Sequence, residues 1–196
     1  MIIQTKSYPR AAIIGNPSDG YNGKTIAFVF SNFSANVTLY ESPDLEIVPA
    51  ALDLHVFTDI KQLVSHVNYS GYYGGIRLIK AMIKVFYEYC ISHDITLEEK
   101  NFTIRYATDI PQRLGLAGSS AIITAGMKAL MQFYGVTIEL AELANLVWSV
   151  EIQELGISAG LQDRVAQAYE HPVFMDFNKD YMTQHGIGKY SPIDPS

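Results

Sequence analysis

The sequence predicts an α+β domain. Short apolar or alternating runs crowd its first quarter: RAAII, TIAFVF, SANVTLY and DLEIVP. From residue 73 onward apolar residues recur at spacings of three and four, the mark of helices with one buried face. Two further extended runs, FTIRYAT and PVFMDF, return the chain to strand between and after those helices.

In chain order, residues 10–14 read as a short buried strand ending at Gly15, and NPSDGYNG follows as a loop dense in turn formers. The next three runs read as strands, with Pro43 and Asp44 turning the chain between the last two. Their short connections predict antiparallel pairing. Residues 51–71 are ambiguous and fit a strand plus a long loop. A helix over 73–92 follows from Ile76, Ile79, Ile83, Phe86 and Cys90. A second carries Ile123, Met127, Leu130 and Tyr134 on one face. A third spans about 138–154 with Thr137 placed to cap it, and a fourth covers about 159–169. The last residues, 186–196, hold two of the chain's prolines without periodicity and read as a linker or tail, leaving 1–185 as the domain.

Composition narrows the function classes. The chain has 196 residues, 48% hydrophobic and 17% charged, enough to bury a core. A formal charge of −6 argues against a general nucleic-acid surface. Cys90 is the one cysteine, so no internal disulfide forms, and its helical spacing makes it a core residue. The start lacks the apolar segment of a signal peptide, and no apolar run reaches about 18 residues. A cytoplasmic address without a membrane span is the expectation. The five histidines show no metal-ligand spacing.

The stretch PQRLGLAGSSAIITAG, 111–126, joins a strand to a helix through glycines and paired serines. The first N–H groups of a helix lack internal partners, and the helix dipole adds positive charge there. Glycines let backbone approach a ligand oxygen. The recipe suits a phosphate, and a plain serine cap on an ordinary helix explains the same residues. No Gly-Lys-Ser/Thr follows, and the G-x-G-x-x-G spacing is missing.

That stretch resembles the second signature of the GHMP kinases: a proline, a short gap, Gly-Leu, small residues, then Ser-Ser-Ala. The resemblance implies that Pro111, Gly115, Leu116, Ala117, Gly118, Ser119, Ser120 and Ala121 wrap a nucleotide triphosphate. Ala117 departs from the family, where many members carry Gly or Ser. RAAIIGNPSDGYNGKTI resembles the family's opening Arg-x-x-x-x-Gly segment. The sugar-kinase branch has Gly-Glu-His-x-Asp there; here Gly15-Asn16-Pro17-Ser18-Asp19 keeps the Asp and replaces Glu and His. This form, with ELGISAGLQDRVAQAY and FMDF, is similar to the glucuronokinase branch.

The resemblance also implies roles for two distant acids. Glu151 continues the Leu143–Val147 row, so it lies on or beside an apolar face, where a carboxylate needs a cation or donors. Read alone, it is as well explained as a solvated residue, and Asp163 as a helix-start carboxylate. The family implies Glu151 as a Mg²⁺ ligand with Ser120, and Asp163 as general base with Arg10 placing it or countering charge. Gly156 and Gly160 fall where the family's turn has glycines. Arg164 stands where many relatives have Gln. Asp19 is expected to take sugar hydroxyls, with Asn16, Ser18 and Tyr21 around it, although an Asp in a turn is common. A sugar carboxylate would need a cation, for which Arg164, Arg113 and Lys24 are the candidates. Glu154 reads as a solvated neighbour.

The implied whole is an N-terminal GHMP kinase domain with a mixed sheet, helices on one face and a ribosomal-protein-like βαβ arrangement. It would use ATP and Mg²⁺ to phosphorylate the anomeric hydroxyl of a sugar, glucuronate favoured, with a neutral sugar or other small alcohol as the alternative. A non-catalytic nucleotide- or sugar-binding module is the competing reading. The family's third glycine-rich signature and C-terminal domain are expected to be missing, leaving an apolar face through which a homodimer could form.

Overall fold

The computed structural model describes residues 1–50, 53, 59, 61, 64 and 74–194. Two four-stranded sheets share the chain. The first is ordered β1-β4-β6-β5, from β1 (Ile2–Ser7), β4 (Ala35–Ser42), β5 (Glu46–Val48) and β6 (Asn101–Thr108). The second is ordered β2-β3-β7-β8, from β2 (Arg10–Ile14), β3 (Lys24–Val29), β7 (Val173–Asp176) and β8 (Lys189–Pro192). The α-helices whose full extent is described are α1 (Gly75–Ser92), α2 (Gly118–Tyr134), α3 (Leu140–Ser149), α4 (Gln162–Tyr169) and α5 (Lys179–His185). The first sheet is mixed, because β5 runs parallel to β6. The second is antiparallel throughout.

Alternation explains the first sheet. Ile3, Thr5 and Ser7 of β1, Ala35, Val37 and Leu39 of β4, and Phe102, Ile104 and Tyr106 of β6 all point inward. Helix α2 lies across β1 and β4 and also packs on α1, α3 and α4. It is therefore buried nearly all round, from Ser120 through Met127 and again at Ala129, Leu130 and Phe133. A helix enclosed this way carries apolar residues on every side rather than on one stripe. Thr5 Oγ1 donates to the Ala125 carbonyl at 2.7 Å and pins the helix to β1. The Phe102 and Phe133 rings meet edge to face, 5.5 Å between centroids. With α2 held between sheet and helices, its N-terminus is a fixed point for a site.

Several expectations need correction. The runs TIAFVF, SANVTLY and DLEIVP do not pair with one another. Strand β3 pairs with β2 and β7, and β4 with β1 and β6, so the short link between β3 and β4 carries the chain from one sheet to the other. Neighbouring strands pair only as a tendency. Strand β1 was not expected, although IIQTKS alternates. Thr137 does not cap α3: Glu139 holds that position, without a side-chain bond. The tail expected over 186–196 is folded through Pro192, where β8 pairs with β7, and Ile193 N–H bonds the Pro172 carbonyl at 2.7 Å. A proline fits there because β8 is an edge strand. The strand-and-loop expectation for 51–71 lies outside the described residues, apart from single positions, and so does Tyr73 at the expected helix start.

Candidate functional site

The glycine-serine stretch ends on a helix whose N-terminus has no side-chain cap. Ala117 occupies the cap position with φ 60° and ψ 43°, and neither serine caps the helix. That removes the ordinary serine-cap explanation. Arg113 and Gly115 also have positive φ, 61° and 69°, so the loop turns tightly before α2 begins. Two bonds hold it from behind. Arg10 N–H donates to the Leu116 carbonyl at 3.2 Å, and Gln167 Nε2 to the Ala117 carbonyl at 2.9 Å. The loop is thus fixed by its carbonyls, and its N–H groups lie at the uncapped end, where an anion would be favoured.

A cavity of about 560 Å³ opens at that end. Pro111, Arg113, Gly115, Leu116, Ala117, Gly118 and Ser119 line it, together with Arg10 and Asp163 from outside the loop. Ser120 and Ala121 do not: both are fully buried, and the Ser120 hydroxyl donates to the Ala117 carbonyl at 3.1 Å. The serine beside the cavity is Ser119, whose hydroxyl donates to Glu151 Oε1 at 2.6 Å.

Glu151, which the helical row put on or beside an apolar face, is inside. Leu143, Val147 and Glu151 are each 0–1% exposed. A π-helical turn, Val150–Glu154, follows α3 and carries it. Such turns recur at functional positions because they break regular register. The burial is compensated by Arg164, itself buried, whose Nε donates to Glu151 Oε2 at 2.8 Å and whose second terminal nitrogen reaches the same oxygen. The remaining Arg164 nitrogen donates to the Gly160 carbonyl at 2.7 Å and to Asp163 Oδ2 at 3.1 Å. Every donor nitrogen of Arg164 is therefore engaged inside the protein, and the expectation that it takes a sugar carboxylate is replaced by an internal role.

Asp163 stands in the first turn of α4, ion-paired with Arg10 and with Arg164. Burial pushes its carboxyl above the ordinary carboxylate range; Arg164 and then Arg10 pull it back, and Asp19 pushes it up again. Asp19 sits in the loop after β2. Gln162 holds it there, with its backbone N–H on Oδ2 at 3.1 Å and Nε2 on Oδ1 at 3.2 Å. Two glycines make this approach possible. A Cβ on Gly160 would stand 2.1 Å from Asp19 Oδ2, and one on Gly15 would stand 2.1 Å from the Lys24 carbonyl, at φ 86°. Asn16 is exposed and accepts from Gln162 Nε2 through Oδ1. Ser18 closes its own turn by donating to the Lys24 carbonyl at 2.6 Å, and Tyr21 is exposed. Lys24 pairs with Asp176 at 3.4 Å. Glu154 pairs with Lys84 at 2.5 Å. Cys90 is buried as expected, which pushes its thiol pKa up.

Gln162 and Gln167 went unremarked in the sequence. Each is a buried amide whose partners lie far away in the chain, and only the letters GLQDR, with a polar residue entering an otherwise apolar face, hinted at the first. No described helix is long and apolar enough to cross a membrane.

A sequence model for the GHMP kinases N-terminal domain matches residues 77–171. The chain is 46% identical over 197 aligned residues to Glucuronokinase 1 of Arabidopsis thaliana, covering 99% of this chain and 54% of the relative. It is 45% identical to Probable glucuronokinase 2 of Arabidopsis thaliana, covering 98% and 54%. The chain spans about half the length of these curated relatives. Among solved structures, a D-glycero-D-manno-heptose 1-phosphate kinase from Bacteriodes thetaiotaomicron superposes with a TM-score of 0.73 at 21% identity, over 100% of this chain and 61% of that one. Lactococcus lactis galactokinase complexed with galactose gives 0.74 at 17%, over 100% and 47%. At those identities the structural likeness speaks for the fold. Residues 77–171 carry the sequence pattern of the GHMP kinases N-terminal domain, and the chain has the fold of the solved kinases on which it superposes.

Proposed function

We propose that the chain is the nucleotide- and sugar-binding half of an ATP-dependent kinase. Its acceptor is the anomeric hydroxyl of a sugar, with D-glucuronate favoured and D-glucuronate 1-phosphate the product. One observation carries this reading. The largely buried carboxylate of Asp163, 16% exposed and paired with Arg10, lines the same cavity as the uncapped start of α2. A base and a phosphate cradle on one cavity are what phosphoryl transfer to an alcohol requires, since positioning and charge neutralisation supply most of its catalysis. The names of the Arabidopsis relatives support glucuronate.

Asp163 takes the proton of the attacking hydroxyl at one of its carboxylate oxygens. Burial raises its basicity above that of a free carboxylate, which suits the task. Arg10 holds the carboxylate in place through its ion pair and its backbone bond to Leu116. The N–H groups at the start of α2 receive the phosphates. Asp19, which lines a second groove and is tied to Gln162 beside Asp163, takes the sugar hydroxyls together with Asn16. Arg113, which lines the cavity, is the cation placed for a uronate carboxylate.

Mg²⁺ fits the donor chemistry with one change from expectation. It takes oxygen ligands and binds through one or two carboxylates plus substrate phosphates. Ser119 Oγ lines the cavity and the buried Glu151 Oε1 is the hard oxygen adjacent to it, whereas Ser120 points into the fold. Ser119 and Glu151 would hold the ion, which supplies neutralisation of phosphate charge when bound.

The test is a kinase assay over uronic and neutral sugars, with the position of the phosphate read by ³¹P NMR. Transfer to the anomeric oxygen of glucuronate is expected. Phosphate on another hydroxyl, or no transfer to any sugar, refutes the reading.

A further inference from the structure

Gln162 makes more side-chain and backbone bonds to the sugar loop than any role so far assigned to it explains. It is 3% exposed and immediately precedes Asp163. Its Nε2 donates to Asn16 Oδ1 and Asp19 Oδ1, its backbone N–H donates to Asp19 Oδ2, and its Oε1 faces the Thr25 hydroxyl at 3.3 Å. Thr25 also donates to the Ile14 carbonyl at 2.8 Å, at the end of β2.

The orientation of this amide follows from chemistry. An ionised carboxylate only accepts hydrogen bonds. Asp19 therefore forces the nitrogen end of Gln162 toward itself, and the oxygen end toward Thr25. The same nitrogen then meets Asn16, so Asn16 must turn its oxygen to Gln162. Its own two N–H donors are left facing outward, and Asn16 is exposed. One buried amide thus sets a polarity on the loop: a donor at Asn16 beside an acceptor at Asp19.

Building on the sugar-kinase reading, we propose that Gln162 is a positioning residue for sugar specificity. It fixes Asn16 as donor and Asp19 as acceptor toward neighbouring hydroxyls and locks that pair in register with Asp163, one residue along. The substrate class selected is a polyol presenting adjacent hydroxyls, one accepting from Asn16 and one donating to Asp19. Gly160 serves the same arrangement by letting backbone reach Asp19.

The experiment is steady-state kinetics of the full protein carrying Gln162→Glu, with Gln162→Met as second variant and thermal unfolding measured for both. The introduced carboxylate puts acceptors against Asp19 and Asn16, so the sugar KM rises about tenfold or more while the ATP KM stays within twofold. Lowering the pH protonates the introduced carboxyl and restores a donor, so the sugar KM of Gln162→Glu recovers toward the parent value. Gln162→Met has no such recovery. An unchanged sugar KM in both variants overturns the proposal, as does a parallel rise of both KM values without pH recovery. Failure of the unsubstituted protein to phosphorylate any sugar refutes the kinase reading instead. The side-chain amide of Gln162 then decides by NMR. Asp19→Leu removes its acceptor and speeds its proton exchange, and unchanged exchange overturns the orientation.

Discussion

Replacing Arg164 by Met tests the electrostatic arrangement behind the cavity most sharply. The Glu151 and Arg164 side chains are 1% and 4% exposed. With the guanidinium gone, Glu151 keeps a single side-chain donor, the Ser119 hydroxyl, and Asp163 keeps Arg10. Breaking a buried pair from one side costs about 3–5 kcal/mol, because a charge is left in a low-dielectric place. Domains of this size hold about 5–15 kcal/mol in all, so the loss is a large share of the total. At about 2–4 °C per kcal/mol, Tm falls by roughly 6–20 °C. Glu151→Gln costs less, about 1–3 kcal/mol, because Arg164 retains Asp163 and the Gly160 carbonyl as partners. The double variant recovers much of the Arg164→Met loss, since no unpaired charge is then left buried and the introduced amide still has the Ser119 hydroxyl as a partner. Urea denaturation followed by circular dichroism, run as a double-mutant cycle, measures all three. An Arg164→Met loss under about 1 kcal/mol, or strictly additive singles, refutes the claim that Arg164 compensates the burial of Glu151.

Asp163→Asn lowers turnover by about 10²–10⁴-fold with nucleotide binding retained, measured by initial rates and calorimetry. The acid limb of kcat/KM in the parent protein lies above the ordinary carboxylate range, because burial raises the Asp163 pKa; activity falls as pH drops through that value. The limb disappears in Asp163→Asn, and a limb that persists assigns it to another group. Ala117→Gly relieves a left-handed conformation and leaves stability unchanged or raised by up to about 1 kcal/mol, whereas Ala117→Val at φ 60° costs about 1–2 kcal/mol. Gly126→Ala places a Cβ 2.2 Å from Met82 Sδ where α1 and α2 approach, and costs about 1–3 kcal/mol by urea titration.

Periodicity made the local parts legible. The row Leu143, Val147, Glu151 put the carboxylate on or beside an apolar face, because helical spacing alone decides which residues share a face; that it is buried rather than solvated took the structure to decide. The glycine-serine stretch announced a tight turn into a helix, and the fold supplies both. What escaped reading was set by partners far away in sequence. The pairing of β4 with β1 rather than β3 depends on which sheet closes around α2, and nothing within β4 encodes it. The choice of Ser119 over Ser120 turned on one step of helix rotation at a boundary. Arg164 looked available for substrate until its thirteen-residue reach to Glu151 was visible. Gln162 needed Asn16 and Asp19, more than 140 residues earlier, to acquire a role.

The most direct measurement is a crystal structure with a non-hydrolysable ATP analogue and the acceptor sugar. We expect the terminal phosphate on the N–H groups of Gly118 and Ser119, with the anomeric hydroxyl within hydrogen-bond distance of Asp163. A triphosphate seated instead in the groove that Tyr89, Glu142 and Trp148 line together with Asp19, with the start of α2 bare, would contradict that assignment.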